Sequence, residues 1–266
     1  MKRSAFVLDR IVRGIGFAGT ALAVVAVIAP VLLTVVLSFS NDPYVQFPQE
    51  TWGFDRYVEL VQNPTWMQAF GLSALLALLT AVLTLVICVL ALLAIYRTRL
   101  PGRRVLEGFS VVSIIIPISA FSVALYGVFA QYSLLATFSG LAIAHAVLAV
   151  PLVMLVCGAT FRSIPIELEL VATTLGAPRW RAWVGITLRL ALPSLAGGFV
   201  MAFQTSFEEA VLVNFLGGPG LITLPKAIFD SVQFGSTPVI TAIAALIVIV
   251  SSTLVAVPLA SLRARR

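Results

Sequence analysis

Long apolar stretches alternate with short polar breaks along this chain. Charge-free runs cover Gly14–Asn41, Leu60–Tyr96, Gly108–Phe161, Leu190–Phe207 and Ser231–Leu262. A helix needs about 20 apolar residues to cross a bilayer. The 54-residue run Gly108–Phe161 is therefore long enough for two crossings. The pattern predicts an all-α integral membrane protein with a single transmembrane domain over 1–266. Six spans are expected near 15–39, 67–96, 106–130, 138–160, 192–214 and 238–260. Composition points the same way: 60% of residues are hydrophobic and 11% charged, against roughly 25% charged in soluble domains.

The first span reads as a retained helix. Its basic start (Lys2, Arg3, Arg10, Arg13) also suits a signal peptide. A signal core is typically about 7–15 residues, however, and no small-x-small cleavage site follows this longer run.

Basic residues set the expected orientation. Four precede the first span, and Arg97, Arg99, Arg103 and Arg104 lie between spans two and three. Arg162, Arg179, Arg181 and Arg189 lie between spans four and five, and Arg263, Arg265 and Arg266 close the sequence. Only Arg56 and Lys226 fall on the opposite side, so 15 of 17 basic residues share one face. The positive-inside rule makes that face cytoplasmic, with both termini on it. The net charge of +6 then reflects topology and gives no reason to invoke nucleic acid.

Cys88 and Cys157 fall inside spans and read as small apolar residues. The single histidine, His145, lies mid-span, where a helix-packing hydrogen bond or a pathway-lining role would suit it; no metal site is expected. In the external segment Asn41–Trp66, Phe54, Tyr57, Val58 and Val61 recur at helical spacing and suggest a short helix against the membrane surface. Gly217-Gly218-Pro219-Gly220 marks a turn between spans five and six.

A polar island interrupts the apolar pattern between Arg162 and Arg189, with four arginines plus Glu167 and Glu169. Pro165 and Glu167 suit a helix start. Leu168, Val171, Ala172 and Leu175 then form an apolar stripe. Gly176 suits a left-handed helix end, and Pro178 restarts a second helix carrying Arg179, Trp180, Arg181 and Trp183. A helix–turn–helix over 163–190 is expected. An amphipathic element lying in the headgroup region would share this composition; the Gly-Ala-Pro turn favours protrusion into a partner.

This stretch resembles the EAA loop of six-helix permeases of ABC importers, the type I importer membrane subunits. Ala172 and Gly176 match that loop's helix and glycine, and Leu192-Pro193 is similar to its closing segment. Leu170 and Val171 stand in the Glu-Ala positions, and Arg189 replaces a frequent proline. Further along, Ser206-Phe207-Glu208-Glu209, Gly218-Pro219-Gly220, Thr223-Leu224-Pro225 and Phe234-Gly235 are similar in order to spermidine/putrescine-type permeases, as is Leu37-Ser38-Phe39-Ser40. The resemblance implies a cytoplasmic coupling loop that docks on an ATPase through Glu167, Glu169, Ala172, Gly176, Ala177, Pro178, Arg179 and Arg181. It further implies a second permease, two ATPase subunits carrying ATP and Mg, an external binding protein and a bacterial inner-membrane location.

The chain has no Gly-Lys-Ser/Thr phosphate loop, so ATP hydrolysis is expected on another polypeptide. Glu208 and Glu209 lie about 16 residues into span five, in its outer half. Carboxylates at that depth are costly and default to a functional reading; capping or pairing with a neighbouring subunit is the plainer alternative. Gln204 and Asn214 join them as pathway candidates. The expected function is a non-enzymatic permease subunit for polyamines or a related small amine, γ-aminobutyrate and opines being close alternatives. A gradient-driven transporter would carry ion-binding groups on several spans, and a scaffold without a pathway would not need the paired glutamates.

Overall fold

The computed structural model describes residues 2–112, 114–235 and 237–263, with side chains described outside 2–12, 104, 109–112 and 254–263. The helices are α1 (Lys2–Ser38), α2 (Asp55–Gln62), α3 (Pro64–Arg97), α4 (Arg103–Val112), α5 (Ile118–Gln131) and α6 (Phe138–Ser163). They continue as α7 (Glu167–Thr174), α8 (Arg179–Ala182), a π-helical turn (Trp183–Leu188), α9 (Arg189–Phe207), α10 (Val211–Leu216), α11 (Leu224–Phe234) and α12 (Val239–Arg263). Among the described residues the only extended pairing is an isolated bridge between Ser40 and Trp52.

Among the described residues, four stretches are long and apolar enough to cross a membrane: Arg13–Ser38, Pro64–Arg97, Phe138–Ser163 and Arg179–Phe207. Two of the expected continuous spans are instead broken. The one near 106–130 stops at Val112 and resumes at Ile118 after Pro117, whose ring excludes the amide hydrogen a continuing helix needs. The one near 192–214 ends at Phe207 and resumes at Val211.

The chain packs as two units. One comprises residues 64–234 and 254–266, and its core is the mutual packing of α3, α6 and α9. Small side chains make that approach close: Ala81, Cys88, Ala149, Cys157, Ala191 and Ala202 are all fully buried there. Such residues let helices meet at short range where lipid offers no hydrophobic drive. At Gly198 an added Cβ would lie 2.9 Å from the Cys157 sulfur and 3.1 Å from Val153, so this crossing needs glycine. Nearby, His145 Nδ1 and Ser206 Oγ share a buried 2.8 Å hydrogen bond between α6 and α9. A second cluster forms around Leu76, Phe129, Leu141, Leu212 and Leu216.

The other unit comprises residues 1–63 and 235–253, and a buried cation organises it. The Arg56 guanidinium donates to the Leu37 carbonyl at 2.7 Å, Thr241 Oγ1 at 2.8 Å and the Asp42 carbonyl at 3.0 Å. The Asp42 carboxylate accepts the Glu50 and Thr51 amides at 3.0 and 2.9 Å. The short helix expected around residues 54–61 is α2. Arg56 and Leu60 are buried while Phe54, Val58 and Val61 are exposed, so its apolar stripe faces outward while the two Nη atoms of Arg56 find carbonyl and hydroxyl partners inside.

Candidate functional site

The loop 163–190 holds α7, a tight turn and α8, which runs through the π-helical turn into α9. Glu167 lies exposed in the first turn of α7, where a carboxylate complements the helix dipole. At the other end, the Ala177 amide bonds the Ala172 carbonyl at 3.0 Å and the Gly176 amide bonds that of Thr173 at 3.0 Å. This is a Schellman closure, and Gly176 adopts the φ of +92° it demands. Pro178 caps α8 in an extended conformation. Arg181 stacks over the Trp180 ring with 5.2 Å from guanidinium carbon to centroid. Past α8 the chain takes a π-helical turn before α9, a widened geometry that occurs often at functional sites.

One carboxylate holds the loop in place. Arg97 Nε donates to Glu169 Oε1 at 2.6 Å, and both side chains are buried, at 4% and 8% exposure. Thr187 Oγ1, on the π-helical turn, donates to the same oxygen. Arg97 Nη2 reaches the Ile164 carbonyl at 3.1 Å. A single carboxylate thus joins the end of α3, the α6–α7 junction and the root of α9. Spacing could not reveal Arg97 and Thr187 as its partners, since 72 and 18 residues separate them from Glu169. Behind this clamp, Leu170, Val171, Leu175, Trp180 and Val184 are exposed, Leu175 at 84%. The apolar stripe faces away from the protein's own core.

The other candidates gather at the break between α9 and α10. Glu209 is buried, and its Oε1 accepts the Val211 and Leu212 amides at 2.5 and 2.9 Å. It caps α10 by satisfying donors that a helix start leaves open. Glu208 is exposed, with Gln204 Nε2 at 3.3 Å from its Oε1. Asn214 is exposed and accepts from Lys226 Nζ at 3.4 Å, while Lys226 also pairs with Asp230 at 2.7 Å. The two glutamates therefore do not sit on two faces of one continuous helix: the break makes one a cap and leaves the other outward.

Residues 87–265, about two thirds of the chain, match the family described as "Binding-protein-dependent transport system inner membrane component". The chain is 28% identical to the spermidine/putrescine transport system permease protein PotC of Haemophilus influenzae, over 85% of this chain and 88% of that one. It is 29% identical to the putrescine transport system permease protein PotI of Escherichia coli, over 82% and 80%. Among solved structures, it is similar to a chain of a bacterial alginate ABC transporter in complex with its alginate pentasaccharide-bound periplasmic protein. That likeness has a TM-score of 0.73 at 16% identity, covering 94% of this chain and 93% of the other.

Proposed function

The chain belongs to the binding-protein-dependent transport system inner membrane component family, and from that premise we propose that it is one permease half of a bacterial ATP-driven importer of polyamines or related small amines. It crosses the inner membrane six times, its third and fifth crossings being broken helices, with both termini in the cytoplasm. A second permease completes the pathway, two ATPase subunits supply ATP and Mg, and an external protein delivers substrate. The relatives named for spermidine and putrescine support this cargo, and the exposed Glu208 carboxylate suits a cation. γ-Aminobutyrate or an opine would be the next cargoes to try.

The observation that carries the coupling part is the loop 163–190. Its apolar side chains face outward from a helix–turn–helix whose buried side is pinned by the Arg97–Glu169 pair. A partner that covers Leu170, Val171, Leu175 and Trp180 gains their apolar burial, at roughly 25 cal/mol per Å2. Movement of that partner then reaches α3 and α9 through Glu169's neighbours Arg97 and Thr187 rather than through a flexible tether. The test is purification of the tagged chain from its membrane in mild detergent, followed by ATP hydrolysis with spermidine or putrescine and the binding protein. Recovery of an ATPase, with hydrolysis stimulated by a polyamine, is the expected result. A chain recovered alone that still carries substrate down an ion gradient would overturn the reading.

A further inference from the structure

A cavity of about 860 Å3 opens beside the loop, lined among others by Tyr96, Arg99, Arg103, Ile166, Arg179 and Trp183. Arg97 and Glu169 also border it, but they neutralise one another. Arg99, Arg103 and Arg179 make no hydrogen bond or ion pair among the described residues. Three guanidinium groups thus face one space, where a single anion gains attraction from all three.

We propose that this cavity binds a phosphate headgroup, that of an anionic phospholipid in the inner leaflet. The inference rests on the cytoplasmic placement of this end of the protein proposed above. Guanidinium matches the planar, bidentate geometry of phosphate oxygens better than any other side chain. The apolar run of α3 ends at Tyr96 and its first charge is Arg97, which sets the cavity at headgroup depth. Basic pockets between helices at that depth are where anionic lipid headgroups bind. One wall is apolar, from Ile166 and Trp183, and suits the glycerol and upper acyl part of a lipid but not a free inorganic ion. Arg179 and Trp183 belong to the second half of the loop, whereas Arg99 and Arg103 follow α3. A bound headgroup therefore ties the loop to α3 beside the Arg97–Glu169 clamp and strengthens coupling without touching the substrate pathway.

The test uses the purified importer complex and the variant Arg99→Gln/Arg103→Gln/Arg179→Gln. Native mass spectrometry counts the phospholipid retained by each. Nanodiscs of phosphatidylcholine with and without phosphatidylglycerol, and with added inorganic phosphate, then report ATP hydrolysis. The wild type is expected to retain anionic lipid, the triple variant on the order of a hundredfold less, and the Arg→Lys triple an intermediate amount. Hydrolysis should rise with phosphatidylglycerol in the wild type and stay flat in Arg99→Gln/Arg103→Gln, which leaves Arg179 of the ATPase-docking set in place. Inorganic phosphate that reproduces the rise in phosphatidylcholine alone would assign the site to free phosphate and overturn the lipid. Equal lipid retention in the variant overturns the site, as does loss of the ATPase with lipid unchanged, which would make these arginines a protein contact. The single variant Arg103→Gln, at the start of α4, guards against misfolding of the triple. Failure of the importer reading shows separately, as a wild type that brings down no ATPase whatever its lipid count.

Discussion

Glu169 carries more of the loop than any other residue. Its carboxylate has a buried cation on one side and a hydroxyl on the other. Removing one member of such a pair strands the other charge, at a cost of about 3–5 kcal/mol. Glu169→Ala should therefore free Arg97, loosen α7 from α3 and lower both ATPase recovery and uptake. Glu169→Gln keeps an acceptor for Arg97 and Thr187 and should lose less; unchanged ATPase recovery and uptake in both variants would mean the pair does not hold the loop, and equal losses would assign the hold to the charge alone. Across the molecule's other unit, Asp42 gives a pH readout. Its carboxyl is held at about 2, below the usual 3.8, chiefly by the Thr51 hydroxyl and further by the Glu50 and Thr51 amides. A depressed carboxylate stabilises the fold fully above the unfolded value and loses that contribution as pH falls toward the folded one. Hydrogen exchange of the Glu50 and Thr51 amides, corrected for intrinsic rates, should thus stay flat from neutral pH to about 4 and accelerate below. Asp42→Asn should remove that pH dependence; a wild-type change centred near neutrality would contradict the assignment.

At the scale of elements, the loop's closing turn was readable because Leu175-Gly176-Ala177-Pro178 combines a left-handed residue with a helix restart. Gly176→Val puts a β-branched side chain at φ +92°, a genuine outlier costing on the order of 1–3 kcal/mol. The angle between α7 and α8 should change, with ATPase binding reduced while the spans still insert. Gly176→Asn should behave close to wild type, since asparagine tolerates this region; a Val variant with normal ATPase binding would refute the docking geometry. The π-helical turn left no trace in the sequence, because Trp-Val-Gly-Ile-Thr-Leu has no residue that forbids an α-helix. Hydropathy alone does not show the breaks at 114–117 and 208–210. Apolar content continues across them, so hydropathy counts residues without registering backbone direction. Pro117 was a usable signal for the first and Glu208-Glu209 for the second. Arg56 was missed because a charge in an external segment defaults to solvent, and only the fold supplies its carbonyl and hydroxyl partners.

For the molecule as a transporter, the break after α9 separates two tasks that adjacent glutamates could otherwise share. Glu209 is committed to α10: its carboxylate fills the amides of Val211 and Leu212, and loss of a cap costs typically about 1 kcal/mol. Glu209→Ala should therefore weaken folding and assembly for any cargo, while Glu209→Gln keeps an acceptor and should be milder. Glu208 is exposed and its substitution leaves that cap intact. If the cargo is cationic, Glu208→Gln should raise the apparent KM for spermidine roughly fivefold, the effect of about 1 kcal/mol from one exposed charge. Raised salt should narrow the difference between variant and wild type, because solvent-facing charge pairs are screened. A neutral or zwitterionic substrate such as γ-aminobutyrate should show little change in the same variant. Uptake assays in vesicles, run at two ionic strengths with both substrates, separate these outcomes. Identical KM values for spermidine in Glu208→Gln and wild type would remove charge attraction at this break as a source of selectivity, and would move the search for the cation site to the proposed partner permease.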